Sequence, residues 1–427
     1  MVDTPASSVP RSWRDAVGPG FVVAATGVGA GDLIAASVAG QRFGLAVLWV
    51  VVLGALFKWV LNDGIARWQL ATGTTLIEGW SRRLPRVVGW YFMGFLVLWS
   101  FLVAAALASA CGVAARSLWP VMPIPAWAAV HAAAGFALVW LGRYRLFERV
   151  MAWLTAAMFV LVIGCAVPLL EDGGGFASGL FVPTVPEGSA KFLLGVMGGV
   201  GGSVTLLCYG YWMRERGWSG RAAHRRTSLD TGVAYGLSGI FGLAMIVIAA
   251  GTEPADASGN ALILALAARL GEILGPFGRM CFLVGFWCSV FTSLLGVWQG
   301  VPYLFADSLA QMRRRSVPEP ASASATAPPR DGPATRSTAY RVFLGFLAFP
   351  PLLLLFYRSP LAIVVMYAIA GAFFMPFLAG VLLVMNNRRA WVGSLKNGPV
   401  INALLVLSLV LFAVLFVFEA AESLARL

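Results

Sequence analysis

Charge is the first thing this chain of 427 residues is short of. Only 12% of it is Asp, Glu, Lys or Arg, against roughly a quarter in a soluble domain, which excludes an ordinary water-soluble fold. Histidine is nearly absent, with His131 and His224 standing far apart. No nucleophile–base pairing accompanies them, so neither an enzyme nor a cofactor is expected. Cysteine is sparse as well. Cys111, Cys165, Cys208, Cys281 and Cys288 all fall in apolar segments and read as small core residues, not as a disulfide or zinc framework. The polar N-terminal stretch "MVDTPASSVPRSWRDAVGPG" carries no recognisable cleavable leader and runs directly into the first apolar segment.

What is present is hydrocarbon. The chain is 59% hydrophobic, its mean hydropathy is +0.82, and apolar runs of about 20 residues, the length that crosses a bilayer core, recur throughout. An all-α, multi-pass membrane protein follows, with the bilayer as its surroundings. The net charge of +12 is explained by arginine in cytoplasmic loops and not by a nucleic-acid partner. Eleven spans are predicted, near 17–41, 44–70, 87–115, 124–142, 148–169, 191–213, 231–251, 275–303, 339–357, 360–386 and 398–418.

Loop charge orients them. Arg82, Arg83 and Arg86, Arg143 and Arg145, the group from Arg214 to Arg226, Arg313 to Arg315, and Arg388, Arg389 and Lys396 follow the even-numbered spans. The intervening loops are poor in arginine, and "PLLEDGGG" is acidic. Lys and Arg mark the cytoplasmic side. The expectation is a cell (inner) membrane protein with its N-terminus inside and its C-terminus outside. "SVPEPASASATAPPRDGPATRSTA" (316–339) has little to bury and reads as a disordered cytoplasmic linker.

Two spans are interrupted. The first contains "GVGAGD" (27–32) and the sixth "GGVGGS" (198–203). Glycine costs roughly 1 kcal/mol per residue inside a helix, so such clusters invite unwinding, although glycines also serve close helix packing. The clusters lie five spans apart, as partners would in two inverted repeats, and paired Gly-interrupted segments point to a transporter's binding site. Asp32 ends the first cluster. A carboxylate at that depth needs a cation, hydrogen bonds or a proton; capping the outer half-helix from Leu33 onward is the plain structural alternative. In the second span Lys58 falls near mid-membrane. It either snorkels to an interface or serves the site, by neutralising Asp32, replacing a coupling cation or attracting an anion. Asp63 and Arg67, four apart, are placed to pair. Tyr209 and Tyr211 in "YGYWM" are candidates for an inner gate, or for an interfacial aromatic belt.

The stretches "GPGF" (18–21), "RWQLATGTTLIEGW" (67–80), "GRYRLFERVM" (142–151), "GLFVPTVPEGS" (179–189) and "NGPVINALLVL" (397–407) together resemble the Nramp family of divalent-metal transporters. The resemblance implies a LeuT-type fold of eleven transmembrane helices, with discontinuous helices 1 and 6, two inverted five-helix repeats and alternating access. On that frame residues 1–16 are a cytoplasmic tail and 17–170 the first repeat. Residues 171–190 form an extracellular loop, 191–386 the second repeat with its linker, and 387–427 the last helix and C-terminus.

The family's site residues match only in part. Its helix 1 motif, Asp-Pro-Gly-Asn, falls on Gly29, Ala30, Gly31 and Asp32, so the first aspartate is missing and a carboxylate replaces the asparagine. Its helix 6 motif, Met-Pro-His, falls on Gly202, Ser203 and Val204. The acidic residues that resemble a proton path in helix 3 fall near Ala106 and Ser109, and the later helix 6 histidine falls on Tyr209. What survives is hard oxygen. Asp32, Thr26 and Gly29 are the expected metal residues. Gly199, Gly202, Ser203, Thr205 and Lys58 are the expected substrate residues, with Tyr209 and Tyr211 as gate. Such a set suits magnesium or manganese better than softer ions. The expectation is a secondary transporter of a hard divalent cation without proton coupling, working as a monomer. The alternative is a small organic or anionic solute held by amides, half-helix N-termini and Lys58.

Overall fold

The structure, a computed structural model, describes residues 18–141, 144–170, 173–199, 202–252, 259–316, 337–356 and 360–424. The predicted tail 1–16 and residues 317–336 of the predicted linker lie outside the described residues. Every regular element among those described is helical. The first span is two pieces, α1 (Pro19–Gly27) and α2 (Ala30–Phe43), followed by α3 (Leu48–Thr72), α4 (Leu76–Arg83), α5 (Arg86–Leu118), α6 (Ile124–Trp140), α7 (Tyr144–Ala166) and α8 (Gly173–Phe181). The sixth span is again two pieces, α9 (Ala190–Gly199) and α10 (Cys208–Glu215). After it come α11 (His224–Ala249), α12 (Gly259–Ser316), α13 (Thr338–Ala348), α14 (Pro360–Asn386), α15 (Arg389–Val392) and α16 (Pro399–Leu424).

Local chemistry sets several boundaries. Helix α3 stops at left-handed Gly73, and α4 starts with a capping box in which the Thr75 hydroxyl accepts from Glu78 N while Glu78 accepts from Thr75 N. Helices α1 and α6 have proline in their first turn, where the missing N–H costs nothing.

Three elements were not among the predicted spans. One is the short helix α4, another is α8, and the third is the first part of α12, separated from the rest by non-helical Gly275. Arg269 holds that part in place by donating to the carbonyls of Ile248 and Ala250 and to the Thr252 hydroxyl, so it caps the end of α11.

Contacts at the arginine-rich loops place them at one end of the molecule. Arg216 pairs with Glu148 at 2.7 Å, Arg214 with Glu78 at 3.4 Å, and Arg67 donates to Asn397 at 3.2 Å. At the opposite end Trp49 donates to the Thr184 carbonyl at 2.9 Å and Thr184 to the Ala46 carbonyl at 3.0 Å. Between the ends, α12 packs on α5 and α7, and α11 on α2 and α3. Trp68, Trp80, Trp99, Trp212 and Trp298 are buried inside, while Trp90, Trp153 and Phe277 project outward. That outward apolar surface is what a chain surrounded by lipid presents.

Candidate functional site

The two breaks face each other. Helix α1 ends at Gly27, and Val28 leaves helical geometry at φ −88°, ψ 79°. Helix α9 ends at Gly199; Gly202 has φ +82°, and Ser203 follows at φ −125°, ψ −89° before a 3-10 turn (Val204–Leu207) leads into α10. A Cβ on Gly202 would lie 3.4 Å from the Cα of Gly27. Glycine suits the position for its positive φ, and a Cβ there would also collide with the Thr205 hydroxyl. Thr26, Ser203 and Thr205 around this junction are buried.

Unwinding frees carbonyls, and each break answers differently. At the first, the Ser293 hydroxyl donates to Thr26 O and the Ser289 hydroxyl to Val28 O, both at 2.7 Å. At the sixth span, the Lys58 ammonium donates to Gly198 O at 2.9 Å. Lys58 is 0% exposed, so it does not snorkel. The C-terminal end of α9, where a helix carries partial negative charge, holds it inside.

The predicted site residues fall as follows. The Asp32 backbone is in the first turn of α2, where Leu33 N donates to Gly29 O at 3.0 Å; its side chain, with those of Ala30 and Gly31, lies outside the described residues, as does that of Gly199. Thr26 donates its hydroxyl back to Val22 O at 2.6 Å and lies against Gly296 of α12. Gly29 stands where a Cβ would collide with the Ser293 hydroxyl. The Ser203 hydroxyl lies beside Gly371 of α14, and that of Thr205 beside Gly202.

Toward the arginine-rich end α10 is fastened on several sides. Tyr209 donates to Asp230 at 3.0 Å, and the same carboxylate oxygen accepts from Gly20 N, so one group of α11 binds both inner half-helices. Tyr211 donates to Asp307 at 2.5 Å, shares that oxygen with Thr75, and stacks on Tyr303 with centroids 5.3 Å apart. Gln69 donates to Gly210 O at 2.7 Å, and Trp212 to Gln299. Both tyrosines are buried, so they are no interfacial belt. Asp63 and Arg67 pair at 2.6 Å as their spacing predicts, with His224 and Asn397 as further partners.

Ser289, Ser293, Asp230 and Asp307 are absent from the predicted site. Asp230 and Asp307 carried a readable signal, since an ionisable side chain in an apolar span is a functional candidate by default. The serine pair carried a weaker one, four apart on one helix face. Among the described residues no three of His, Cys, Asp and Glu gather. His131 accepts at Nε2 from the Trp287 indole at 2.9 Å while Nδ1 meets Trp127 O at 2.7 Å, which fixes a neutral tautomer. Among the described residues the polar groups at the junction are carbonyl and hydroxyl oxygens and the Lys58 ammonium.

Residues 20–420 match the family described as natural resistance-associated macrophage protein-like. The divalent metal cation transporter MntH of Chromohalobacter salexigens is 26% identical over 310 residues, 68% of this chain and 71% of that protein. An uncharacterized protein of Pasteurella multocida is 22% identical over 291 residues, 65% and 67% of the two chains. Among solved structures, a manganese transporter of Eremococcus coleocola superposes with a TM-score of 0.74 at 15% identity, covering 96% of this chain and 87% of that one. MhsT, in complex with L-phenylalanine, gives 0.62 at 18% identity, covering 93% and 98%. These likenesses establish the LeuT-type fold, with the discontinuous first and sixth helices described above.

Proposed function

This chain belongs to the natural resistance-associated macrophage protein-like (Nramp) family of membrane transporters, and from that membership we propose that it moves a hard, partly hydrated divalent cation, magnesium or manganese, by alternating access and without proton coupling. The observation that supports the reading is the junction of Gly27 and Gly202, where the ligands on offer are oxygens. In this reading Asp32, whose backbone lies in the first turn of α2, supplies a carboxylate, and Ser203, Thr205 and main-chain carbonyls supply neutral oxygen. Carbonyls, carboxylates and water suit magnesium and manganese, whereas thioether and imidazole suit softer ions. A magnesium-like ion keeps several waters and needs few protein ligands. Ala106 and Ser109, at the positions that resemble a proton path, are buried and not acidic, which supports the absence of proton coupling. The arginine-rich end is the cytoplasmic one in this reading, so the fastened Tyr209 and Tyr211 close the inner gate.

One observation favours a second reading. A fully buried ammonium at the sixth-span break repels a divalent ion and attracts an anion, so a small organic or anionic solute fits the same fold. Reconstituted liposomes separate the two. Uptake of magnesium or manganese that falls in Asp32→Ala supports the first. No cation flux, with calorimetric binding of a carboxylate metabolite that is lost in Lys58→Ala, supports the second and overturns the first.

A further inference from the structure

One stripe of α5 borders an open groove, and the stripe begins at a cluster of positive charge. Trp90, Gly94, Val97 and Phe101 recur at the spacing of three and four residues that lines one face of a helix. With Phe346 of α13 as the opposite wall they line a groove of about 590 Å³, and the Phe101 and Phe346 rings stand 6.0 Å apart. Trp90 is 66% exposed and Leu98, also on the groove, 61%, so it opens on the surface that faces lipid. Gly94 stands inside it. A glycine within a helix costs roughly 0.5–1 kcal/mol relative to alanine, and close packing is the ordinary reason a membrane helix carries one. Here a Cβ would meet nothing within 4 Å, so the space beside Gly94 is left for something other than the protein.

The groove begins one turn after Arg86, the first residue of α5, which sits on the same stripe four positions before Trp90. Arg82 and Arg83 close α4 just ahead of it, and all three are exposed. Among the described residues no carboxylate pairs with Arg82 or Arg83; Arg83 lies over the Trp391 ring at 5.1 Å. Glu78, the acid nearest in sequence, is engaged by Thr75 N and Arg214. The N-terminus of α5 has no side-chain cap and no acidic residue in its first turn. A helix of 33 residues thus presents its positive end beside three guanidinium groups, which is the chemistry that recognises phosphate. The apolar stripe fixes where that phosphate comes from. From Trp90 to Phe101 it runs about 16 Å at about 1.5 Å per residue, about half of a hydrocarbon core of about 30 Å. That is the depth of one leaflet.

We propose that an anionic phospholipid of the leaflet at the arginine-rich end binds here, with one acyl chain in the groove between α5 and α13 and its phosphate on Arg82, Arg83 and Arg86 at the N-terminus of α5. Each arginine near the membrane surface adds attraction for an anionic headgroup, whereas a zwitterionic lipid brings its own cation to the same place. Free phosphate would meet the guanidinium groups but leave the groove empty. Seated in this way, the lipid joins α4, α5 and α13 from outside the bundle. The site is independent of what the protein transports.

The test uses the purified full chain in detergent. Bound lipid is counted by native mass spectrometry during titration with phosphatidylglycerol or with phosphatidylcholine of identical acyl chains. Phosphatidylglycerol is expected to bind about tenfold more tightly, and the preference to vanish when Arg82→Gln, Arg83→Gln and Arg86→Gln are combined. Gly94→Leu, which fills the groove, is expected to weaken phosphatidylglycerol about tenfold. Gly164→Leu, on α7, where a Cβ likewise meets nothing within 4 Å, is expected to leave it unchanged. If the triple variant does not insert, Gly94→Leu and a photoreactive lipid decide the matter: phosphatidylglycerol with a diazirine midway along one acyl chain should crosslink within residues 90–101. Equal binding of the two lipids, crosslinks confined to other helices, or binding that survives both the triple variant and Gly94→Leu overturns the proposal. So does displacement of the lipid by an equal concentration of glycerol phosphate, which would mark a site for free anions that makes no use of the groove.

Discussion

The ammonium of Lys58 donates to the carbonyl of Gly198 at 2.9 Å, joining residues 140 positions apart in the chain. The bond is wholly buried, so it replaces the helical hydrogen bond that α9 gives up where it stops. Lys58→Met keeps the length and apolar stem but leaves that carbonyl without its donor, at a cost of roughly 1–3 kcal/mol. Lys58→Gln retains a donor. The expected order of melting temperature in detergent is wild type, then Lys58→Gln, then Lys58→Met. Equal melting of all three would mean that the contact contributes nothing to stability.

Gly202 is the point where the sixth span turns toward the first. Gly202→Ala places a Cβ on a residue at φ +82°, which costs about 1–2 kcal/mol. The added atom also faces Gly27 and the Thr205 hydroxyl. With about 1.4 kcal/mol per factor of ten, solute uptake is expected to drop about tenfold while the protein still elutes as a single peak. Gly236→Ala, where a Cβ meets nothing within 4 Å, serves as control and should transport normally.

Tyr211 and Asp307 fasten α10 to α12 through a 2.5 Å hydrogen bond. A hydrogen bond to a charged group contributes roughly 1.5–3 kcal/mol. Tyr211→Phe removes it without changing the ring that stacks on Tyr303. Cys208, fully buried at the start of α10, reports the result. In a background lacking the other four cysteines, its alkylation by a membrane-permeant maleimide should quicken about tenfold in Tyr211→Phe, with about 1.4 kcal/mol corresponding to each factor of ten. Unchanged labelling would show that the tyrosine does not hold this end shut.

Arg67 and Asp63 form a buried pair at 2.6 Å. Removing one partner of such a pair costs roughly 3–5 kcal/mol, because the other is left charged and uncompensated. Arg67→Met and Asp63→Asn are each expected to lower the melting temperature strongly. The double variant should lose clearly less than the sum of the two. Additive losses would place the stabilisation in each residue's separate contacts with Asn397 and His224.

Much of this was legible before any coordinates. Charge scarcity and apolar run length give a multi-pass helical protein, and two glycine clusters five spans apart give the two breaks. Asp63 and Arg67 announce their pairing by spacing. The rest depends on what lies across the bundle. Lys58 reads either as a residue that reaches for an interface or as one that serves the site, because nothing local tells it that the end of α9 will arrive beside it. The tyrosines of α10 read equally as a gate or as a membrane belt, because their partners Asp230 and Asp307 come from other helices. Ser289 and Ser293 look like ordinary small residues on an apolar helix until the frayed end of α1 is laid against them. Hydropathy also misses α8 and the first part of α12, which lie outside the spans and are held by side-chain contacts such as Arg269 to the end of α11.

Lys58 has an electrical consequence. An ion carried across a membrane exchanges about 2.3 kcal/mol per unit charge with each 100 mV of potential. An ammonium covalently attached to α3 never crosses, so it contributes no current and needs no gradient to be reloaded. The charge translocated per cycle is then that of the dissolved species alone, and a reversal-potential measurement counts those species without correction for the lysine.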